Sequence, residues 1–142
     1  MGIIPILLAL IMATTADRVT TFDGWEGMQL LKQCSRPAPA AGGIMFRPRE
    51  SDVDRLERAV AIKVASVHGV DGLRSGWRVE VTGMVRNGRR YVYGSFMPMM
   101  EGEKILPTSR PTIICDGGAR MFGAEIDAGS GRLTHYARNG PM

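Results

Sequence analysis

The sequence predicts an α+β fold, in which one main helix packs on an antiparallel sheet built of two hairpins and a connecting strand. Two alternating stretches flank Asn87-Gly88, the dipeptide that best suits a two-residue hairpin turn. Residues 51–68 repeat apolar side chains at helical spacing. A second pair of alternating segments surrounds the glycine-containing turn 128–131. A helix and a sheet that each carry one apolar face bury those faces against one another.

The first 16 residues have the pattern of a secretory signal peptide. Ile3 to Ala13 is an uncharged apolar run, too short to span a bilayer, and cleavage is expected after Ala16. The missing Lys or Arg before this run and the early Pro5 favour the alternative, a buried N-terminal strand or helix in a cytosolic protein. Export predicts a periplasmic or secreted protein with no transmembrane anchor after cleavage. The expected organisation is a signal peptide (1–16), an N-terminal segment and linker (17–43) and an α+β domain (44–142).

The two cysteines, Cys34 and Cys115, are far apart in the chain. In an oxidising compartment an even number of cysteines predicts a disulfide bond. The alternative is a pair of buried free thiols in a cytosolic protein.

The segment before residue 44 predicts little regular structure. A short helix is expected around residues 27–33. Ser35 to Gly43, rich in Pro, Ala and Gly, is expected to be a flexible connector with no packing face.

The main helix is expected to begin at Ser51, an N-cap residue, with Asp54 reaching back to it. Gly69 should end it near Val67–His68. Its apolar stripe comprises Val53, Leu56, Val60, Val64 and Val67.

The Asn87-Gly88 turn sets the register of the central hairpin, with Arg86 opposite Arg89 and Val79 opposite Phe96. One face should form the core and consists of Val79, Val81, Val85, Val92 and Phe96. The other face, expected to be open, carries Thr82, Met84, Tyr91 and Tyr93, with arginines at the tip.

The C-terminal part predicts three further strands. Thr112 to Cys115 is expected to be a short buried strand, Arg120 to Asp127 alternates, and Arg132 to Arg138 returns after the turn. The order of one helix and then a meander resembles the cystatin-like arrangement, in which a sheet wraps one helix and leaves its other face open. Fold alone does not dictate function.

A second resemblance rests on Cys115-Asp116-Gly117-Gly118, then Phe122, Asp127–Gly131 and Asn139-Gly140. This pattern, after a hairpin similar to Gly88–Phe96, is similar to the end of small uncharacterised exported α+β proteins of proteobacteria. The resemblance covers about the C-terminal half of the chain. It implies a secreted or periplasmic domain and no particular activity.

Binding is the function that the surface pattern favours. The formal net charge is +4, and the basic residues are mostly arginine, which suits bidentate contacts to carboxylate or phosphate. A GC-rich genome would also enrich arginine. The predicted docking face comprises Thr82, Met84, Arg86, Arg89, Arg90, Tyr91 and Tyr93. We expect a protein or cell-envelope partner, in an inhibitor- or immunity-like role, and we do not expect nucleic acid. The alternative is a solvated hairpin tip.

No motif identifies a reaction, a cofactor or a metal site. The alternative to a binding domain is an exported hydrolase using Asp116, Glu125 and His135, which would have to converge on one pocket. Asp beside glycine is more typical of a turn, which applies to Asp116. His68 and His135 do not have a metal-ligand spacing. A thiol nucleophile at Cys115 would be consumed by a disulfide.

Overall fold

The computed structural model describes residues 18–68, 76–99 and 108–140, with side chains described up to residue 64 in the main helix. These ranges contain six strands and two helices, in the order β1 (Val19–Phe22), α1 (Gly24–Leu30), β2 (Ile44–Phe46), α2 (Glu50–His68), β3 (Trp77–Arg86), β4 (Arg89–Pro98), β5 (Phe122–Asp127) and β6 (Leu133–Arg138). The predicted signal peptide lies outside the described residues. None of the helices in the described ranges is long and apolar enough to cross a membrane.

All six strands belong to one sheet, in the order β1-β3-β4-β5-β6, with β2 also paired to β3. β1 runs parallel to β3, and every other pair is antiparallel. The predicted α+β class is confirmed, with the difference that the sheet is mixed and includes β1 and β2. β1 and α1 both lie in the predicted N-terminal segment, outside the expected α+β domain (44–142). Because β1 pairs with β3, this segment is part of the same fold as the rest.

The predicted register of the central hairpin is confirmed. Arg86 pairs with Arg89, Val81 with Gly94 and Val79 with Phe96. Asn87 and Gly88 have φ values of 53° and 74°, the left-handed conformation at both central positions that a type I′ turn requires.

Replacing Asn87 with valine should lower the free energy of unfolding by about 1–2 kcal/mol, because a β-branched residue is strained at positive φ. Asn87→Gly, which accepts this conformation, is the matched control and should stay close to the wild type. Urea unfolding of the three proteins measures the difference. Equal midpoints for the valine variant and the wild type would contradict this account of the turn.

The main helix begins one residue before the predicted N-cap. Asp52, not Asp54, closes the reciprocal cap: its carboxylate accepts the Arg49 amide at 3.1 Å, and its own amide donates to the Arg49 carbonyl at 3.0 Å. The carboxylate also lies at the positive end of the helix dipole. The predicted N-cap at Ser51 is therefore wrong, because the helix has already begun at Glu50 and its first turn bonds back to Arg49.

One face of the sheet, which we call the helix face, is covered by α2. The helix contributes the predicted stripe of Val53, Leu56, Val60 and Val64, each at most 5% exposed. Against it pack Val79, Val81, Val92, Phe96, Phe122, Ala124 and Ile126. The rings of Phe96 and Phe122 stack with centroids 4.8 Å apart. The hydrophobic core predicted between this helix and the hairpins is therefore confirmed, except that Val85 is only half-buried and lies outside it. The side chain of Val67 lies outside the described residues.

The opposite side of the sheet, which we call the second face, was expected to be open, and this expectation is wrong. Thr82, Met84 and Tyr93 are fully buried there, beneath Phe22, Leu30 and Leu31. α1 lies very close to β3: a Cβ on Gly27 would stand 2.4 Å from Thr82 Oγ1, so only glycine fits. The predicted short helix exists, three residues earlier than expected, and it covers this face.

The segment expected to be a flexible connector packs on the same face. Arg36 is 6% exposed, and Ala38 packs beside Tyr93 and Met84. The amide of Gly43 donates to the Val85 carbonyl at 3.1 Å. Proline and glycine here give an irregular path, and the path is fixed by contacts with the sheet.

Thr112 to Cys115 is not a strand, in contrast to the prediction, and Ile113 is 43% exposed. Backbone groups of this segment hydrogen-bond to side chains instead of to a neighbouring strand. The Thr112 amide and hydroxyl donate to the buried Glu80 carboxylate at 2.5 and 2.8 Å, and Gln33 binds the Thr112 carbonyl at 3.1 Å. The predicted Cys34–Cys115 disulfide is confirmed, with Cα atoms 5.0 Å apart.

Candidate functional site: the arginine cleft

The predicted docking residues fall into three groups in the structure. Thr82, Met84 and Tyr93 are buried, so they cannot form part of a solvent-facing surface. The sequence missed this because alternating polar and apolar residues are typical of a sheet with one wet face. Arg86 is engaged within the chain. Arg89, Arg90 and Tyr91 remain at the surface and line a cleft.

Arg86 forms a bidentate ion pair with Glu125, with its Nη atoms 3.1 and 2.9 Å from the two carboxylate oxygens. Glu125 is 1% exposed, and it also accepts the Thr134 hydroxyl at 2.8 Å. The guanidinium lies 4.0 Å from the centroid of the Tyr91 ring. The hydrogen bonds to Glu125 raise the pKa of Arg86 above its already high ordinary value, and burial opposes this rise. Arg86 therefore fixes the hairpin to β5 and is not available for a ligand.

The cleft lies between the tip of the β3–β4 hairpin and the turn that joins β5 to β6. It has a volume of about 750 Å³. We define the arginine cleft by its lining residues, which are Arg89, Arg90, Tyr91, Asp127, Ala128, Gly129, Ser130, Arg132, Leu133 and Thr134. Three guanidiniums and one carboxylate thus face the same open space.

The carboxylate in the cleft belongs to the turn. Asp127 Oδ1 accepts the amides of Gly129 and Ser130 at 2.8 and 3.0 Å, as expected for an Asp beside glycine. The Ser130 amide, followed by that of Gly129 and the Arg89 charge, lowers the pKa of Asp127 below its ordinary value. Asp127 is therefore ionised at neutral pH. Its Oδ1 is already hydrogen-bonded within the turn, and the side chain forms one wall of the cleft.

The three cleft arginines differ in how firmly they are held. Arg90 lies 3.6 Å from Asp52 and stacks over the Phe46 ring at 4.6 Å. Arg89 has a single long contact, 4.0 Å from Nε to Asp127 Oδ2, and its side chain is 72% exposed. Arg132 is exposed, and its guanidinium has no partner in the described part of the chain. Arg89 and Arg132 are consequently the two guanidiniums available to an incoming anion.

The wall opposite the hairpin is rigid. Arg55 of α2 donates to the carbonyls of Ala128 and Gly129, which ties the turn to the main helix. The Ala128 amide donates to the Arg90 carbonyl at 2.9 Å. Because both rims are anchored, the cleft is a preformed feature of the fold.

No sequence pattern predicted that Arg36 would be buried, yet it is only 6% exposed. Its guanidinium donates to Asn139 Oδ1 and to Ser95 Oγ at 2.7 Å each, and to the Tyr93 hydroxyl at 3.2 and 3.4 Å. Gly123 makes room for this cluster, since a Cβ there would stand 2.2 Å from the Tyr93 hydroxyl. Burial raises the pKa of Tyr93, and the Arg36 charge opposes that rise. These contacts are structural, because the cluster is closed to solvent.

The three residues of the hydrolase alternative, Asp116, Glu125 and His135, do not share partners in the structure. Glu125 is held by Arg86 and Thr134, and the His135 ring contacts the Pro37 carbonyl at 3.1 Å. Asp116 is exposed, and among the described residues no contact joins it to either of them. Glu125 and His135 are neighbours only as cross-strand partners. The side chain of His68 lies outside the described residues.

Within residues 18–68, 76–99 and 108–140, no three His, Cys, Asp or Glu side chains are placed to hold a metal ion. In comparisons with known proteins, no family model, no curated protein and no solved structure matches the chain.

Proposed function

We propose that this protein is a small exported binding domain that docks a protein or envelope-component partner at the arginine cleft. The observation that carries the proposal is the pairing in that cleft of two available guanidiniums, Arg89 and Arg132, on a rigid frame. Arginine and tyrosine, both present in the lining of the cleft, are enriched among the residues that dominate protein–protein binding. An inhibitor- or immunity-like role would use such a module in the same way.

Export is supported by two features. The apolar N-terminus ends at small residues before Asp17, as a signal peptide does. Cys34 and Cys115 are paired, and both are exposed, so a reducing cytosol would open the bond. A periplasmic or secreted location accommodates both features.

The test is capture of partners from an envelope extract of the native host, with the oxidised chain as bait. We expect at least one protein to be retained by the wild type and lost with Arg89→Glu/Arg132→Glu. Arg120→Glu is the charge control: Arg120 is exposed and precedes β5, whereas the cleft is at the other end of that strand, about 20 Å away. Identical partner lists for all three baits would rule out the cleft as the docking site.

A further inference from the structure

The chemistry of the cleft narrows the class of partner, on the basis of the proposed function. We infer that the arginine cleft binds an acidic peptide segment, whose carboxylates are shared between Arg89 and Arg132. The two guanidiniums project from different elements, β4 and the β5–β6 turn, into one open volume. A guanidinium presents a planar fork of donors that matches a carboxylate. Two forks on opposite rims suit two acidic side chains of one extended segment.

A phosphate ligand fits the cleft less well. Phosphate sites built on turns use free backbone amides as donors. Here the amides of Gly129 and Ser130 already donate to Asp127 Oδ1. The Asp127 carboxylate, whose pKa is lowered, also places a negative charge 4.0 Å from Arg89. The Asp127 carboxylate would repel a dense polyanion such as a phosphate chain, whereas the spaced carboxylates of a peptide can bind the arginines at a distance from Asp127.

The remaining lining favours a peptide over a small inorganic anion. Leu133 contributes apolar surface, and Ser130 contributes a hydroxyl. A volume of about 750 Å³ is far larger than one carboxylate requires. A mixed apolar and polar lining between cations is what an acidic segment with interspersed apolar side chains would contact.

The test is direct titration of the oxidised full chain with a fluorescent oligoglutamate peptide. The wild type and Arg120→Glu should bind it, and added salt should weaken the binding because exposed charges are screened. Arg89→Glu/Arg132→Glu should weaken it by about tenfold or more, since each attraction becomes a repulsion. The milder Arg89→Gln/Arg132→Gln should give a smaller loss in the same direction. A thermal melt of each variant verifies folding.

Three outcomes would overturn the inference. One is equal affinity of the wild type and the cleft variants for oligoglutamate. Another is equal affinity of the wild type for oligoglutamine of the same length. The third is Arg89-dependent binding of pyrophosphate or single-stranded DNA without binding of oligoglutamate. If a captured partner depends on Arg89 while oligoglutamate does not bind, the proposed function stands and only this assignment fails.

Discussion

Replacing Cys34 and Cys115 together with serine should lower the free energy of unfolding by about 4 kcal/mol, the largest effect expected in this protein. The bond links residues 81 positions apart, and a loop of that length loses much conformational entropy in the unfolded state. For a domain of this size the loss is a large share of the total stability, about 5–15 kcal/mol.

Urea unfolding of the oxidised wild type, the reduced wild type and the double serine variant separates this effect from the change of side chain. The reduced protein and the variant should have the same lowered midpoint, while the oxidised protein unfolds at a higher concentration. If the variant unfolded with the oxidised wild type, the bond would contribute nothing to stability.

The bond also fixes the segment that contains Thr112. Gln33 binds the Thr112 carbonyl at 3.1 Å and accepts the Ile114 amide at 3.4 Å, on the same side of the fold as the disulfide. Glu80 is 2% exposed, and in the described part of the chain its carboxylate accepts hydrogen bonds from Thr112. Release of the segment would leave a buried carboxylate without these donors, which is costly. The loss on reduction should therefore be at least that of the loop entropy.

The sequence predicted the helix face because its signals are local. Asn87-Gly88 determines the turn, the turn determines the register, and the stripe from Val53 to Val64 identifies the buried side of α2. Each inference needed only spacing along the chain. The pairing of the cysteines followed from their number and the expected compartment.

The second face could not be predicted in this way. Its polar side chains indicated solvent, but they are paired with groups far away in the chain: the Thr82 hydroxyl donates to the Phe22 carbonyl across 60 positions. The cover consists of a short helix and a Pro-, Ala- and Gly-rich segment without periodicity. For the same reason the site residues were only partly predicted: Arg89, Arg90 and Tyr91 line the cleft, while Arg132 was assigned to a strand end.

Replacing Arg36 with methionine should lower the free energy of unfolding by about 3 kcal/mol. The substitution has two opposite effects on the free energy of unfolding. Burying a guanidinium without a carboxylate partner is unfavourable, and the substitution removes that cost. It also leaves buried acceptors unpaired, at about 1–3 kcal/mol each. Asn139 Oδ1, Ser95 Oγ and the Tyr93 hydroxyl would all lose their Arg36 donors, so the second term is larger.

Arg36→Lys is the matched control, because it keeps the charge and loses the fork that reaches three acceptors at once. It should destabilise the protein less than methionine does. The two variants also differ at Tyr93, where burial raises the phenol pKa and the Arg36 charge opposes that rise. Methionine removes the charge, so the pKa of Tyr93 should rise further. Lysine keeps the charge, so the pKa of Tyr93 should stay close to that in the wild type.

Spectrophotometric titration of the folded variants at alkaline pH measures the ionisation of Tyr93. The other two tyrosines of the chain, Tyr91 and Tyr136, serve as internal references. A raised folded-state pKa means that the unfolded state releases its proton first, so stability is intact below the unfolded value of about 10 and is lost as the pH rises beyond it. The total loss of stability at alkaline pH should be larger in Arg36→Met than in the wild type. An unchanged Tyr93 titration together with unchanged stability would show that the guanidinium is not held in this cluster, and the closed second face would then lack its central contact.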